Sequence, residues 1–260
     1  MKKYRYLVLL SVPLFALWFC TSSSSGKDKE GSANVKADIP VLGNKNVAVL
    51  ELFTSQGCSS CPAADRLLGT YTSKENTIVL SFHVDYWNRL GWKDPFSSKE
   101  YTQRQYNYAS ALHADVYTPQ LVVNGQTEMI GSDSGKISNT LKKIFEEQPD
   151  AILSIKSVKA ENGKVNIGFE ASGNTGNSVL NIALIEKKTT TEVKAGENGG
   201  ATLVNYNVVR NFKTIKKVES GTNISSIDIP SASDLKNMSV VLFLQEKNNN
   251  KISGADQVDF

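Results

Sequence analysis

The sequence predicts an α/β first half followed by an all-β second half, and three observations carry that reading. Two apolar runs, 46–53 and 77–84, flank a segment with helical spacing. A hairpin signal and one more amphipathic segment complete the first half. From Ala151 on, short strand-like runs are separated by Gly, Asn and Ser, and helical signals are scarce.

The elements follow in order. "NVAVLELF" is apolar on both alternations, which suits a strand covered on both faces. Gly57 and Cys58 mark a turn. Ala64, Leu67, Leu68 and Tyr71 then recur at i, i+3, i+4 and i+7, so a helix begins near Cys61. Pro62 fits its first turn, where no backbone N–H is missed. "TIVLSFHV" is a second buried strand, and strand–helix–strand implies a parallel pair. Ser97 followed by Glu100 reads as a capping box, opening a helix whose face carries Tyr101, Gln105, Tyr108 and Leu112. "PQLVVNGQTEMIG" reads as a hairpin turning at Asn124-Gly125. A closing helix carries Ile137, Leu141, Ile144 and Phe145 and stops before Pro149. The runs "AILSIKSVKA", "KVNIGFEA", "VLNIALIEKK", "LVNYNVVRNF" and "MSVVLFLQEK" predict a β-sandwich over 150–260.

The chain has 260 residues, of which 40% are hydrophobic, enough for a substantial core. Its formal charge is +3, and Lys2, Lys3 and Arg5 supply that excess, so the remainder is neutral. Such a balance gives no electrostatic basis for binding nucleic acid. The N-terminus has the anatomy of an export signal: a basic start, then an apolar run over 6–19. That run is short for a membrane span, which takes about 20 residues. Cys20 follows, and 21–45 is a Ser/Gly/Lys-rich linker without core residues. A cysteine at that junction resembles a bacterial lipoprotein signal, with Cys20 as the lipidated thiol. Phe19 is bulkier than the residue usual at that place, so plain cleavage and an uncleaved anchor stay open as readings. Each of them places the folded part outside the cytoplasm, in the cell envelope or periplasm, where disulfides persist. Membrane contact is then through the N-terminal lipid or anchor alone.

With Cys20 set apart, the folded part holds Cys58 and Cys61. A bridge between them closes a very short loop and removes little unfolded-state entropy, so the pair is there for chemistry rather than as a staple. Thiol–disulfide exchange needs an attacking thiolate and a resolving thiol. Cys58, read at a helix N-terminus, suits the first role and Cys61 the second. Ser59 and Ser60 carry no cation, which predicts a potential at neither end of the oxidoreductase range of about −270 to −120 mV. His83 and Asp85 face one side at the end of the second strand, with Tyr86 and Trp87 beside them. His83 reads as a tuner of the thiolate, as a metal ligand with both sulfurs, or as a structural histidine. Trp87, Trp92 and Phe96 read as the wall of a peptide groove or as a roof over the core. His113 reads as a helix cap, and Arg210 as a surface salt bridge or, alternatively, a carboxylate-binding group.

The order strand, Cys-x-x-Cys, helix, strand, helical insertion, Thr-Pro, hairpin, helix is similar to the thioredoxin fold. More closely, "ELFTSQGCSSCPAAD", "FHVDYWNRLGWKDPF", "YTPQLVVNG" and "ENGGATLVNYNVVR" resemble a bacterial secreted family, domain of unknown function 1223, across 46–260. The resemblance implies a thioredoxin-like domain over 46–149 followed by a smaller β-sandwich domain over 150–260. It implies a cis-Pro119 beside the disulfide, with Thr118 and Trp87 contacting substrate. It also implies a role for Glu51, seven residues before Cys58, as a buried proton relay; a strand-edge glutamate in water is the alternative. The function expected is a thiol–disulfide oxidoreductase acting on protein thiols or disulfides with a separate redox partner and no cofactor. One alternative is a Cu(I)-handling protein using Cys58, Cys61 and His83, since two thiolates and an imidazole are soft ligands. Another is a non-catalytic binding module.

Overall fold

The computed structural model describes residues 46–231 and 233–260. The expected signal, Cys20 and nearly all of the linker lie outside the described residues. In chain order the elements are β1 Ala48–Thr54, α1 Cys61–Gly69, β2 Thr77–His83, α2 Lys99–Leu112, β3 Gln120–Val123, β4 Thr127–Ile130, α3 Ser134–Glu146, β5 Ala151–Glu161, β6 Lys164–Gly173, β7 Ser178–Glu192, β8 Thr202–Ile215, β9 Gly221–Asp228, β10 Met238–Glu246 and β11 Ile252–Asp259. Eight strands form one mixed sheet in the order β11-β10-β7-β8-β2-β1-β3-β4, and β5-β6-β9 form a second. The fold is mixed α/β, dominated by the large sheet.

β1 and β2 run parallel in the register Ala48↔Thr77 to Thr54↔His83. On its other side β1 pairs antiparallel with β3. The pleat sorts the side chains of β1. Ala48, Leu50 and Leu52 pack with Ala64 and Leu68 of α1 and Ile137 and Leu141 of α3. Val49 and Phe53 pack with Tyr101 and Tyr108 of α2. Both faces are covered, which is why the run carries so few polar residues. The hairpin turns where its sequence says, with Asn124 at φ 47° and Gly125 at φ 67°. Left-handed backbone of that kind favours Asn and Gly.

The second half departs from the predicted sandwich of its own strands. β7, β8, β10 and β11 extend the sheet that the first half begins, joined to it at the parallel bridge Ser81↔Val208. Alternation again assigns the faces. Ala183, Ile185, Val241 and Phe243 enter the core on the α2 side. Leu180, Ile182, Leu184, Val240 and Leu242 pack against Leu153, Ile155, Val165, Ile167 and Phe169 of the smaller sheet. β9 and β11 have no counterpart in the sequence reading. Both are edge strands, and edges carry polar residues that blunt the apolar signal. The helix cap also moves: α2 is capped by Ser98, whose hydroxyl accepts from Glu100 N, while Ser97 Oγ donates to Asp94 O. The Ser97/Glu100 capping box is therefore absent, because the helix starts one residue later than the motif places it.

Candidate functional site around Cys58 and Cys61

Cys58 and Cys61 are joined in a disulfide at the carboxyl end of β1. α1 begins at Cys61, with Pro62 in its first turn. Cys58 therefore precedes the first helical residue by three positions, in a turn where its N–H donates to Ser55 O and Cys61 N–H donates to Cys58 O. The middle residues Ser59 and Ser60 are exposed. Both cysteines are at 0% exposure. That places the expected nucleophile under cover rather than open at a helix end. Gly57 allows the close approach, since a Cβ there would stand 3.1 Å from Trp87 Cβ.

The Thr118-Pro119 bond is cis. The Thr118 carbonyl oxygen lies 3.9 Å from Cys58 Sγ and 3.5 Å from Ser60 Oγ, which itself sits 3.3 Å from Cys58 Sγ. Trp87 Nε1–H donates to Thr118 Oγ1 at 2.8 Å. Cys58, Cys61, Trp87, Thr118 and Pro119 are thus brought together. The segment is held down from below: Gly131 N–H donates to Pro119 O, and a Cβ on Gly131 would stand 2.6 Å from Leu52 Cδ1.

Glu51 is not part of this cluster. It points to the α2 side of the sheet with Val49 and Phe53, away from α1. There Arg104 donates to both of its oxygens, at 2.6 and 3.0 Å, and the Tyr108 hydroxyl also donates to it. Its oxygens are saturated by a cation and a phenol, so the proton-relay role implied by the resemblance has no free acceptor at Glu51. The pleat is the physical reason: position 51 has the wrong parity to face the thiols.

The buried carboxylate on the α1 side of the sheet is Asp65. It lies on α1 four residues after Cys61, one turn along the same helix face. It is buried, and its Oδ2 accepts from Thr54 Oγ1 at 3.2 Å. Its Oδ1 has no hydrogen-bond partner. Burial raises its pKa to about 6, against the smaller lowering pull of His83. His83 pairs in register with Thr54, so it projects to the same face. Its Nδ1 lies 2.7 Å from Asp94 Oδ2, while Nε2 is buried and unpartnered. Burial alone would lower the His83 pKa, but the charge and hydrogen bond of Asp94, with Asp65 beyond, outweigh it and raise the value. Asp94 is held below the usual carboxylate range: burial opposes this, and His83 with two backbone N–H donors, Gln56 and Phe96, prevails. Asn205 Nδ2, also buried and unpartnered, stands near enough to lower the pKa of Asp65.

The loop between β7 and β8 closes over the same turn. Asn198 Nδ2 donates to Gln56 O and to Cys58 O, both at 2.9 Å. Glu197 Oε2 accepts from Ser59 N at 2.9 Å. Gln56 Nε2 donates to Asn205 Oδ1, and Trp92 Nε1 donates to Gln56 Oε1. Trp92 is therefore a fastener of the turn. Phe96 packs edge-on to His83 and under Arg210, and serves as a roof. Arg210 pairs with Glu186. His113 closes α2 in the left-handed conformation. Asp85 accepts from Thr102 Oγ1 at 2.7 Å, so it ties β2 to α2 rather than joining His83.

Among the described residues, no three His, Cys, Asp or Glu side chains converge as a ligand set. Sequence reasoning missed Asp65, Asp94, Gln56, Glu197, Asn198 and Asn205. The first was legible as the residue one helical turn after Cys61. Gln56 lies two residues before Cys58, Asp94, Glu197 and Asn198 come from distant loops and Asn205 from β8, and no spacing announces their roles.

A family described as "Protein of unknown function (DUF1223)" matches residues 49–245. No curated protein matches the chain. A crystal structure of a protein from Agrobacterium tumefaciens is similar, at 31% identity and TM-score 0.65, covering 82% of this chain and 95% of that one. A domain of the outer membrane lipoprotein Omp28 from Porphyromonas gingivalis aligns at 14% identity and TM-score 0.26 over 43% of this chain and 95% of that domain, too distant to bear on function.

Proposed function

The chain belongs to the DUF1223 family of unknown function, and from that premise we propose that it is a thiol–disulfide oxidoreductase of thioredoxin-like arrangement, working through Cys58 and Cys61. The observation that carries the reading is the disulfide itself, set at the start of α1 with the Thr118 carbonyl against Cys58 Sγ. A four-residue disulfide loop stabilises a fold by only about 2 kcal/mol, so a structural staple is a weak account of it.

In the reducing direction, the Cys58 thiolate attacks one sulfur of a substrate protein's disulfide. That bond breaks and one substrate thiolate leaves. Cys61 then gives its proton to the Asp65 carboxylate and attacks Cys58 Sγ. The mixed disulfide breaks, the second substrate thiolate leaves, and Cys58–Cys61 is oxidised as the substrate gains two electrons. A carboxylate with a pKa near neutrality suits that proton transfer. Run backwards, the same steps oxidise a protein dithiol. The electrons pass to or from a separate dithiol partner protein. An extracytoplasmic location with a lipid on Cys20 fits this chemistry, because protein disulfides form and persist there.

Equilibration with glutathione buffers, followed by thiol alkylation and mass measurement, tests the reading. A potential inside about −270 to −120 mV is expected, with mixed disulfides accumulating on Cys58 in Cys61→Ser. A potential below about −300 mV, the mark of a structural disulfide, and no mixed disulfide would overturn it. The Cu(I) alternative has one feature in its favour, the unpartnered His83 Nε2. Competition with a Cu(I) chelator, lost in His83→Ala, would promote it.

A further inference from the structure

We propose that the β7–β8 loop, residues 193–201, is a clamp that keeps the Cys58 turn closed, and that release of this clamp governs access to the disulfide. The inference deepens the exchange reading above and rests on it for its biological use, though the clamp is a physical claim of its own.

Three of its contacts fall on consecutive parts of one short turn. Asn198 holds Gln56 O and Cys58 O, and Glu197 holds Ser59 N. Cys58, itself one of those anchors, is fully covered although Ser59 and Ser60 after it are exposed. Ser55, Gln56 and Gly57 are buried along with it, and the groups that hold this turn come from about 140 residues further along the chain.

The loop is built as a rigid tongue. Val193 N–H donates to Ala201 O and Gly200 N–H to Val193 O, closing its base. Gly199 N–H donates to Gly196 O, and Ala201 N–H to Asn198 O, folding its tip. Gly196, at φ 76°, lets the backbone pass Trp92, whose Cβ would stand 3.3 Å from a Cβ there. Trp92 in turn donates to Gln56, the first residue of the clamped turn. Tongue, tryptophan and turn therefore form one closed circuit.

All the anchors on the turn are backbone groups, which water can satisfy once the tongue leaves. Opening thus costs the net worth of a few hydrogen bonds rather than the unfolding of a core. A small thiol meets Cys58 only in the open fraction. A protein partner that displaces the tongue meets it directly. Closure reserves the disulfide for partners large enough to contact residues 193–201.

The test uses the whole chain and a small reductant in excess, so that no turnover or partner is needed. Asn198→Asp keeps the shape of the side chain but cannot donate, which removes both of its bonds. Two hydrogen bonds of typical net strength correspond to about a 30-fold larger open fraction. Reduction of the disulfide by dithiothreitol should accelerate by that order, and alkylation of Cys58 in the reduced protein likewise. Glu197→Gln, which keeps an acceptor for Ser59 N, should change the rate less than threefold. Thermal unfolding of each variant checks that the fold is retained, and Trp fluorescence reports whether Trp92 changes surroundings. Equal reduction rates in wild type and Asn198→Asp, with both folded, would overturn the clamp. So would a wild-type rate equal to that of the disulfide in urea-unfolded chain. A structural potential with an accelerated variant would refute the exchange reading and leave the clamp standing.

Discussion

Glu51 and Arg104 give the sharpest quantitative prediction. The Glu51 side chain has no solvent exposure, and that of Arg104 is 14% exposed. Arg104 also donates to Tyr108 OH and to Gln245 Oε1 on β10, and Gln245 Nε2 donates to Tyr108 OH. The network ties β1 and α2 to a strand of the second half. The guanidinium is further embedded among the rings of Phe82, Tyr108, Phe212 and Phe243. Glu51→Ala leaves this cation without its counter-charge in an apolar setting, a loss of about 3–5 kcal/mol. For a unit of this size that lowers Tm by about 6–20 °C, at about 2–4 °C per kcal/mol. Glu51→Gln keeps an acceptor and loses the charge, and about 1.5–3 kcal/mol is expected. The double variant Glu51→Leu with Arg104→Met removes both charges together and should recover most of the loss, because replacing a whole buried pair with apolar groups is often neutral. Urea unfolding of wild type and the three variants measures these differences. The rate of disulfide exchange by folded Glu51→Gln should equal that of wild type, since position 51 faces away from the thiols. A Glu51→Ala loss under about 1 kcal/mol, or a slowed exchange step in Glu51→Gln, would refute the structural reading of this residue.

Asp65 should show the opposite balance of stability and activity. Its carboxyl is raised from 3.8 to about 6, so the folded state prefers it protonated. The stability it grants is complete below 3.8 and falls as pH rises to about 6, a shift of about two units or about 3 kcal/mol. Asp65→Asn should therefore match wild type in urea midpoint near pH 4 and exceed it at pH 7, while resolving mixed disulfides more slowly; parallel stability curves across that range would dismiss the burial argument. The raised pKa of His83 adds a second loss of stability in both proteins, above its unfolded value of 6.5. Gly131→Ala would press a methyl to 2.6 Å from Leu52 Cδ1 and 3.4 Å from Pro119 Cβ. A destabilisation of about 1–3 kcal/mol is expected from such overpacking, with faster alkylation of reduced Cys58 as the Thr118-Pro119 segment shifts, and an unchanged Tm would show that the segment yields freely.

The sequence by itself determined the helices and strands of the first half and the meeting of Cys58 with Cys61, and each of those rests on local physics. That Thr118, Pro119 and Trp87 lie beside the thiols was implied by the family resemblance, not by spacing. β1 shows its double burial in its composition, α1 its face in a 3.6-residue spacing, and the hairpin its turn in Asn124-Gly125. Cys58 and Cys61 lie three positions apart, so their meeting needs no tertiary knowledge. Tertiary structure decided the rest. Whether β7, β8, β10 and β11 pack on one another or extend an existing sheet depends on one parallel bridge, Ser81↔Val208, that leaves no periodic trace. Which carboxylate lies on the α1 side of the sheet depends on strand parity and on which helix covers which face, and that choice favours Asp65 over Glu51. The backbone of the Cys58 turn is held by Glu197 and Asn198, polar loop residues with nothing local to mark them. Spacing records what lies within one element, whereas contacts between residues about 140 positions apart are fixed only when the sheet has assembled and brought its loops to one end.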